Sequence, residues 1–208
     1  MIDQAILDEL WEFDDADLSE SRFRVELEHG GPWDETERAE LMTQLARAIG
    51  MLGRFDEAAA VLIDIASAEI IVGLRVLLES GRIMNSSGNT DAATALFRQA
   101  ALIASAADQL FLQIDALHML AIVDAGGAEH WTESAIRLAE VSPKSRTQRW
   151  LVSLHSNIGW RRLEGGAAAS ALASFTEASR WADLVGTEQQ REWTKVAVDD
   201  CRKLLGGD

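Results

Sequence analysis

Small residues placed at the spacing of helical turns restrict the fold of this chain more than any other feature. In RAIGMLGRFDEAAAVL (47–62), Gly53 stands five residues before Ala58, and in RIMNSSGNTDAATALF (82–97) Gly88 stands five before Ala93. Ala58 and Ile65, Ala93 and Ala100, Ala128 and Ala135, and Ala171 and Ala178 each repeat a seven-residue step, and the first members lie 35, 35 and 43 residues apart. Upstream of each, MTQLARAI (42–49), LLESGRIM (77–84), LHMLAIVD (117–124) and HSNIGWRR (155–162) set large residues ahead of one Ala or Gly.

Two antiparallel helices approach closely only where a small residue admits the neighbouring backbone. Ala46, Gly81, Ala121 and Gly159 are the expected notches on the first helix of each pair, with Ala58, Ala93, Ala128 and Ala171 facing them on the second. Leu62, Phe97 and Phe175 then fill the space between neighbouring pairs. Gly53, Gly88 and Gly166 fall at the turns, where a helix ends in a left-handed residue at little cost to glycine. In the third unit Ala121 and Ala128 are only seven apart, against twelve in the others. A second register, with Ala135 in place of Ala128, stays open.

The spacing resembles the tetratricopeptide repeat family, whose 34-residue helix–turn–helix unit follows W-x2-L-G-x2-Y…A-x3-F. Residues 77–100 match best, through Leu77, Gly81, Met84, Gly88, Ala93, Phe97 and Ala100; 155–178 and 42–65 follow, and the resemblance covers about 39–207. No unit carries the family's Trp and Tyr together, and the proline expected after the second helix is present only as Pro143, which opens the linker SPKSRTQ. The resemblance implies an all-α helical-repeat solenoid: an acidic helical pair in 1–33, four helix pairs in 34–187 and a closing helix in 188–208. The periodicity predicts helices near 3–13, 16–28, 35–52, 55–67, 69–86, 90–107, 110–125, 128–141, 146–164, 168–185 and 188–205, with Asp34 as an N-cap.

Composition narrows the function classes. The net charge is −15, which argues against nucleic-acid binding. Residues 1–40 hold fourteen Asp/Glu against three Arg, a net of −11. This arm either lies across basic groups elsewhere through EFDDADLSE (12–20) or extends the helical array by one pair. Neither a secretory signal nor a membrane span is expected, and the lone Cys201 fits a reducing, cytoplasmic setting.

The motifs of catalysis are missing. His29, His118, His130 and His155 share no ligand spacing, and the glycine pairs precede no Lys-Ser/Thr. The expectation is a non-enzyme without metal or cofactor. His155 fills an apolar slot of the repeat and is expected to pack.

In tetratricopeptide repeats the first helices line a concave groove that binds peptides. Helical phase places Arg47, Arg75, Arg82, Asn85, His118, Ser156, Trp160 and Trp193 on that face. Arginines, an amide and indoles suit an acidic peptide with an apolar anchor; alternatively the arginines decorate a wet face and the indoles belong to the core. The expected role is therefore an adaptor or scaffold binding a protein or peptide, or else a sensor taking a small signalling molecule in the same groove. A homodimer through Trp193, Val196 and Val198 is a further expectation.

Overall fold

The computed structural model describes residues 2–12 and 14–206. They are helical, with no strand among the described residues. In chain order the helices are α1 Gln4–Leu10, α2 Ala16–His29, α3 Glu35–Met51, α4 Phe55–Ile63, α5 Ile70–Ser86, α6 Thr90–Ala106, α7 Leu110–Val123, α8 Ala128–Glu140, α9 Ser145–Gln148, α10 Trp150–Glu164, α11 Ala168–Val185 and α12 Glu188–Leu204. The first helix, expected to reach 13, ends at Leu10, and Phe13 lies outside the described residues. Helix α4 stops at Ile63 rather than 67, and part of SPKSRTQ coils into α9 instead of remaining a linker. Asp34 caps α3 as expected, accepting from the Glu37 amide while the Glu37 carboxylate accepts from its own.

The chain divides into two compact units, Met1–Ala125 and Gly126–Asp208. In the first, α2 packs on α3, α3 on α4 and α5, α5 on α6 and α7, and α6 on α7. In the second, α8 packs on α10, α10 on α11 and α11 on α12. The division falls in DAGGAEH, between the two helices expected to form the third pair.

Four helices end in one way. The Arg54 amide donates to the Ile49 carbonyl (3.3 Å), Asn89 to Met84, Gln109 to Ala104 and Ala167 to Arg162 (2.8 Å each). The residue before each donor is left-handed: Gly53 at φ 78°, Gly88 at 87°, Gly166 at 76° and Asp108 at 54°. This closure satisfies carbonyls that the helix end leaves open. The three glycines stand where the spacing predicts. Asp108 makes the fourth turn because a short polar side chain tolerates this conformation better than most.

The notches are filled differently from expectation. A Cβ added to Gly81 would lie 2.5 Å from Cε1 of Phe97, and one added to Gly159 would lie 2.5 Å from Cε1 of Phe175. Each ring therefore occupies the notch of its own pair rather than the space between pairs. Phe97 and Phe175 follow their glycines by 16 residues, and Leu62 follows Ala46 by the same step. Where the incoming side chain is a flat ring the notch has no Cβ; where it is Leu, an Ala suffices. Ala58, Ala93 and Ala171 are all fully buried.

The expected third pair does not keep its expected register. Ala121 and Ala128 are only partly buried, whereas Ala135 and Ala139 are fully buried. The ion pairs described below align Glu79 with Asp115 and Arg82 with His118, so the position matching Gly81 is Leu117, four residues before Ala121. Four residues is close to one helical turn, which preserves the face while misplacing the residue along the axis.

The closing helix α12 buries Val198 and Cys201 against Ala171 and Phe175. Its capping box joins Thr187 and Gln190.

Candidate functional site

Helices α3, α5 and α7 carry three positions in one register: Glu40, Gln44 and Arg47; Arg75, Glu79 and Arg82; Phe111, Asp115 and His118. The packing of α3 on α5 and of α5 on α7 brings these positions side by side as a charge ladder. Arg75 Nε lies 3.4 Å from Glu40 Oε2, and Arg47 Nη1 lies 4.0 Å from Glu79 Oε1. Arg82 reaches both ways, to Glu79 Oε1 at 2.6 Å and Asp115 Oδ1 at 2.5 Å. The Glu40, Glu79 and Asp115 side chains are 0%, 4% and 7% exposed. Charges this deep are tolerated only when paired, and loss of one partner strands the other.

Burial and pairing push the groups in different directions. Burial raises Asp115, but Arg82 and Arg47 more than reverse this and hold its carboxyl below the usual range. Glu40 stays above its ordinary value because burial outweighs Arg75 and its backbone hydrogen bond. Burial lowers Arg82, yet Asp115 and Glu79 overcompensate and leave it more firmly protonated than a free arginine. Arg47 is shifted down, by burial first and by Arg82 second. Burial also lowers His118, outweighing the neighbouring Asp115.

The α3 end of the ladder is covered by the N-terminal segment. The Ile2 amide donates to Glu40 Oε1 (3.2 Å), and Trp11 Nε1 donates to Gln44 Oε1 (3.1 Å). The Arg47 guanidinium lies over the Trp11 ring, 5.6 Å from its centroid. In the acidic stretch 12–20, Asp15 caps α2 through the Leu18 amide, and Glu20 pairs with Arg24 and Arg54. Helix α2 packs against α3.

Beside the ladder lies an open cavity of about 320 Å³. Its polar wall includes Arg47, Glu79, Arg82 and Asn85; its apolar wall includes Met51, Phe55, Ile83 and Met119. Three of the residues picked from helical phase, Arg47, Arg82 and Asn85, therefore share one site. Arg75 is placed on Glu40, and His118 stands next along the ladder from Arg82. In the second unit Ser156 is half-buried on α10. Trp160 is 49% exposed and meets Phe175 edge-on at 5.0 Å, and Trp193 is 51% exposed on α12. Neither indole belongs to the buried core.

Glu40, Glu79 and Asp115 are absent from that selection. Their signal was present: Glu79 and Asp115 stand three residues before Arg82 and His118, and Glu40 stands 35 before Arg75. A face defined by basic, amide, hydroxyl and aromatic groups leaves out the acidic partners of its arginines. His155 packs, as its apolar slot suggested. It is half-buried, and its Nε2 is shielded without a hydrogen-bond partner among the described residues. Burial lowers it too, despite the nearby Glu177 and Glu140.

Among the described residues no cluster of three His, Cys, Asp or Glu could hold a metal ion. No helix there is long and apolar enough to cross a membrane. No family model matches the chain, and no curated protein matches it.

Proposed function

We propose that this chain is a non-catalytic, cytoplasmic binding module of the tetratricopeptide-like helical-repeat type. It acts as an adaptor or scaffold, taking a peptide segment of a protein partner on the face formed by α3, α5 and α7. The observation that carries this reading is the cavity beside the ladder. It combines a wall of two arginines and one carboxylate, an amide at Asn85 and apolar side chains that include Met51 and Met119, which adapt their shape to a guest. An Asn amide offers a donor and an acceptor side by side, the complement of a peptide bond. The pairing of Arg75 with Glu40 and of Arg82 with two carboxylates reduces what an acidic partner gains there. The apolar anchor is the larger share of recognition.

The test is a peptide-display selection on the full chain, followed by calorimetry of the selected peptides on the parent and on Asn85→Arg. Loss of about tenfold or more in affinity, with an unchanged thermal melt, supports the site. Equal affinities for the two proteins rule it out.

A second reading draws on the cavity's size, which lies at the small end for ligand pockets. A sensor for a small molecule uses the same walls. A compound screen read by thermal shift separates the two, since a ligand of the folded chain raises its melting temperature by mass action.

A further inference from the structure

The face presented by α3 already holds a peptide, and that peptide is the chain's own. Residues 2–11 contact it through a backbone amide on Glu40, an indole N–H on Gln44 and the Trp11 ring against Arg47. Ile2 and Leu7 are buried in the same core as Leu41, Leu45 and Ile49 of α3. We propose that this segment is an intramolecular ligand of the α3 face, and that the partner displacing it has the same chemistry. That partner is an apolar, aromatic stretch that presents a main-chain N–H to Glu40 and a ring N–H or equivalent donor to Gln44. The inference rests on the reading of this face as a peptide site.

Three observations carry it. First, α1 has seven residues, too few to hold a helix without external contacts, so the segment is ordered by its contacts with α3 and with α2, where Trp11 meets Phe23 edge-on at 5.1 Å. Segments of this kind open locally at less cost than a core helix. Second, the face is polar where it is most buried: Glu40 is fully buried and Gln44 is 5% exposed. Bare, both lose hydrogen bonds, which is costly in a buried setting. An exchange partner must therefore replace the donors as well as the apolar contacts, and this is where specificity arises. Third, Arg47 belongs both to the Trp11 contact and to the cavity wall. Occupancy of the α3 face is thereby tied to the groups a bound peptide meets next. The segment that makes these contacts precedes the acidic residues 12–20 and works through aromatic and main-chain groups.

The probe is a labelled synthetic peptide, IDQAILDELWE, titrated into the full chain and into its Leu7→Ala/Trp11→Ala variant with anisotropy as the readout. The variant is expected to bind the probe at least about tenfold more tightly than the parent, and a further Gln44→Ala change should remove most of that gain. Equal binding to both proteins, or binding to neither, overturns the inference. If the variant unfolds, the parent sequence is cut at a protease site introduced between residues 13 and 15. Excess probe then replaces the cut segment if the inference holds and leaves it in place if it does not. Display-selected peptides that bind through Asn85 while the probe fails would overturn this inference alone and leave the peptide-binding reading standing.

Discussion

Two glycines on α5 should respond to the same substitution with opposite signs. Gly73 is exposed, and a Cβ there meets nothing within 4 Å. Gly73→Ala therefore gains only helix propensity and is expected to stabilise the protein by about 0.5–1 kcal/mol. At Gly81 the new Cβ would stand 2.5, 2.8 and 2.8 Å from Cε1, Cδ1 and Cζ of Phe97, where ordinary contact begins at 3.4 Å. The ring must retreat by roughly 1 Å, and Phe97 is fully buried with no free space to retreat into. Overpacking of this kind costs about 1–3 kcal/mol, which outweighs the propensity gain of about 1 kcal/mol. The expected net loss is about 1 kcal/mol, a fall of about 2–4 °C in melting temperature. Phe97→Leu should relieve the clash, because Ala46 and Leu62 already form that pairing one unit earlier. Phe97→Leu alone costs about 1–2 kcal/mol in lost packing; in the double variant the two costs should fall short of additive by about 1 kcal/mol. Urea unfolding of the four proteins, with the slope held constant, measures the cycle. A Gly81→Ala protein stabilised to the same degree as Gly73→Ala would refute the ring-in-notch packing, and so would strict additivity of Gly81→Ala and Phe97→Leu.

The remaining predictions concern the turns, the ladder and the histidines. Gly88→Ala adds a Cβ in open space at φ 87°, so its cost is purely conformational, about 1–2 kcal/mol by chemical denaturation; Asp108→Gly should stabilise by several tenths of a kcal/mol for the same reason. Arg82→Ala strands Glu79 and Asp115 and should cost about 3–5 kcal/mol, whereas a loss below 1 kcal/mol would show that water reaches the ladder. His118 and His155 both have depressed pKa values when folded, so the unfolded chain binds more protons as pH falls through about 6.5. Stability is full above that pH and declines below it. Replacing both histidines by Gln should flatten the slope just below about pH 6.5; an unchanged slope there refutes the assignment, since Asp115, held below its ordinary value, loses its contribution only at the lower pH of the carboxylate range.

Much of the helical order could be read from the sequence, because it follows from local chemistry. A left-handed glycine ends a helix wherever it occurs, Asp34 caps because its side chain reaches the Glu37 amide, and the 35-residue step is plain in the spacing of Ala and Gly. The face shared by Arg47, Arg82 and His118 was legible for the same reason, since helical phase is a local property. What the phase cannot specify is the partner across the gap. Phe97 lies 16 residues from Gly81, and only packing decides whether its ring fills that notch or the next. The four-residue error at Ala121 belongs to this class, because a slip of one turn leaves the face intact and changes every neighbour. Charge behaved likewise. The excess of acid in residues 1–40 suggested that carboxylates of 12–20 could reach the arginines, yet Arg75 meets Glu40 from α3 and Arg82 meets Asp115 from α7. Trp11 lies on Arg47, which no count of charges anticipates. Sequence by itself determined most of the helical order, the turns closed by glycine and which faces are polar, since those depend on neighbours a few bonds apart. Tertiary structure alone decided which buried charges pair and which segment covers the α3 face, since those depend on groups brought together only when the chain folds.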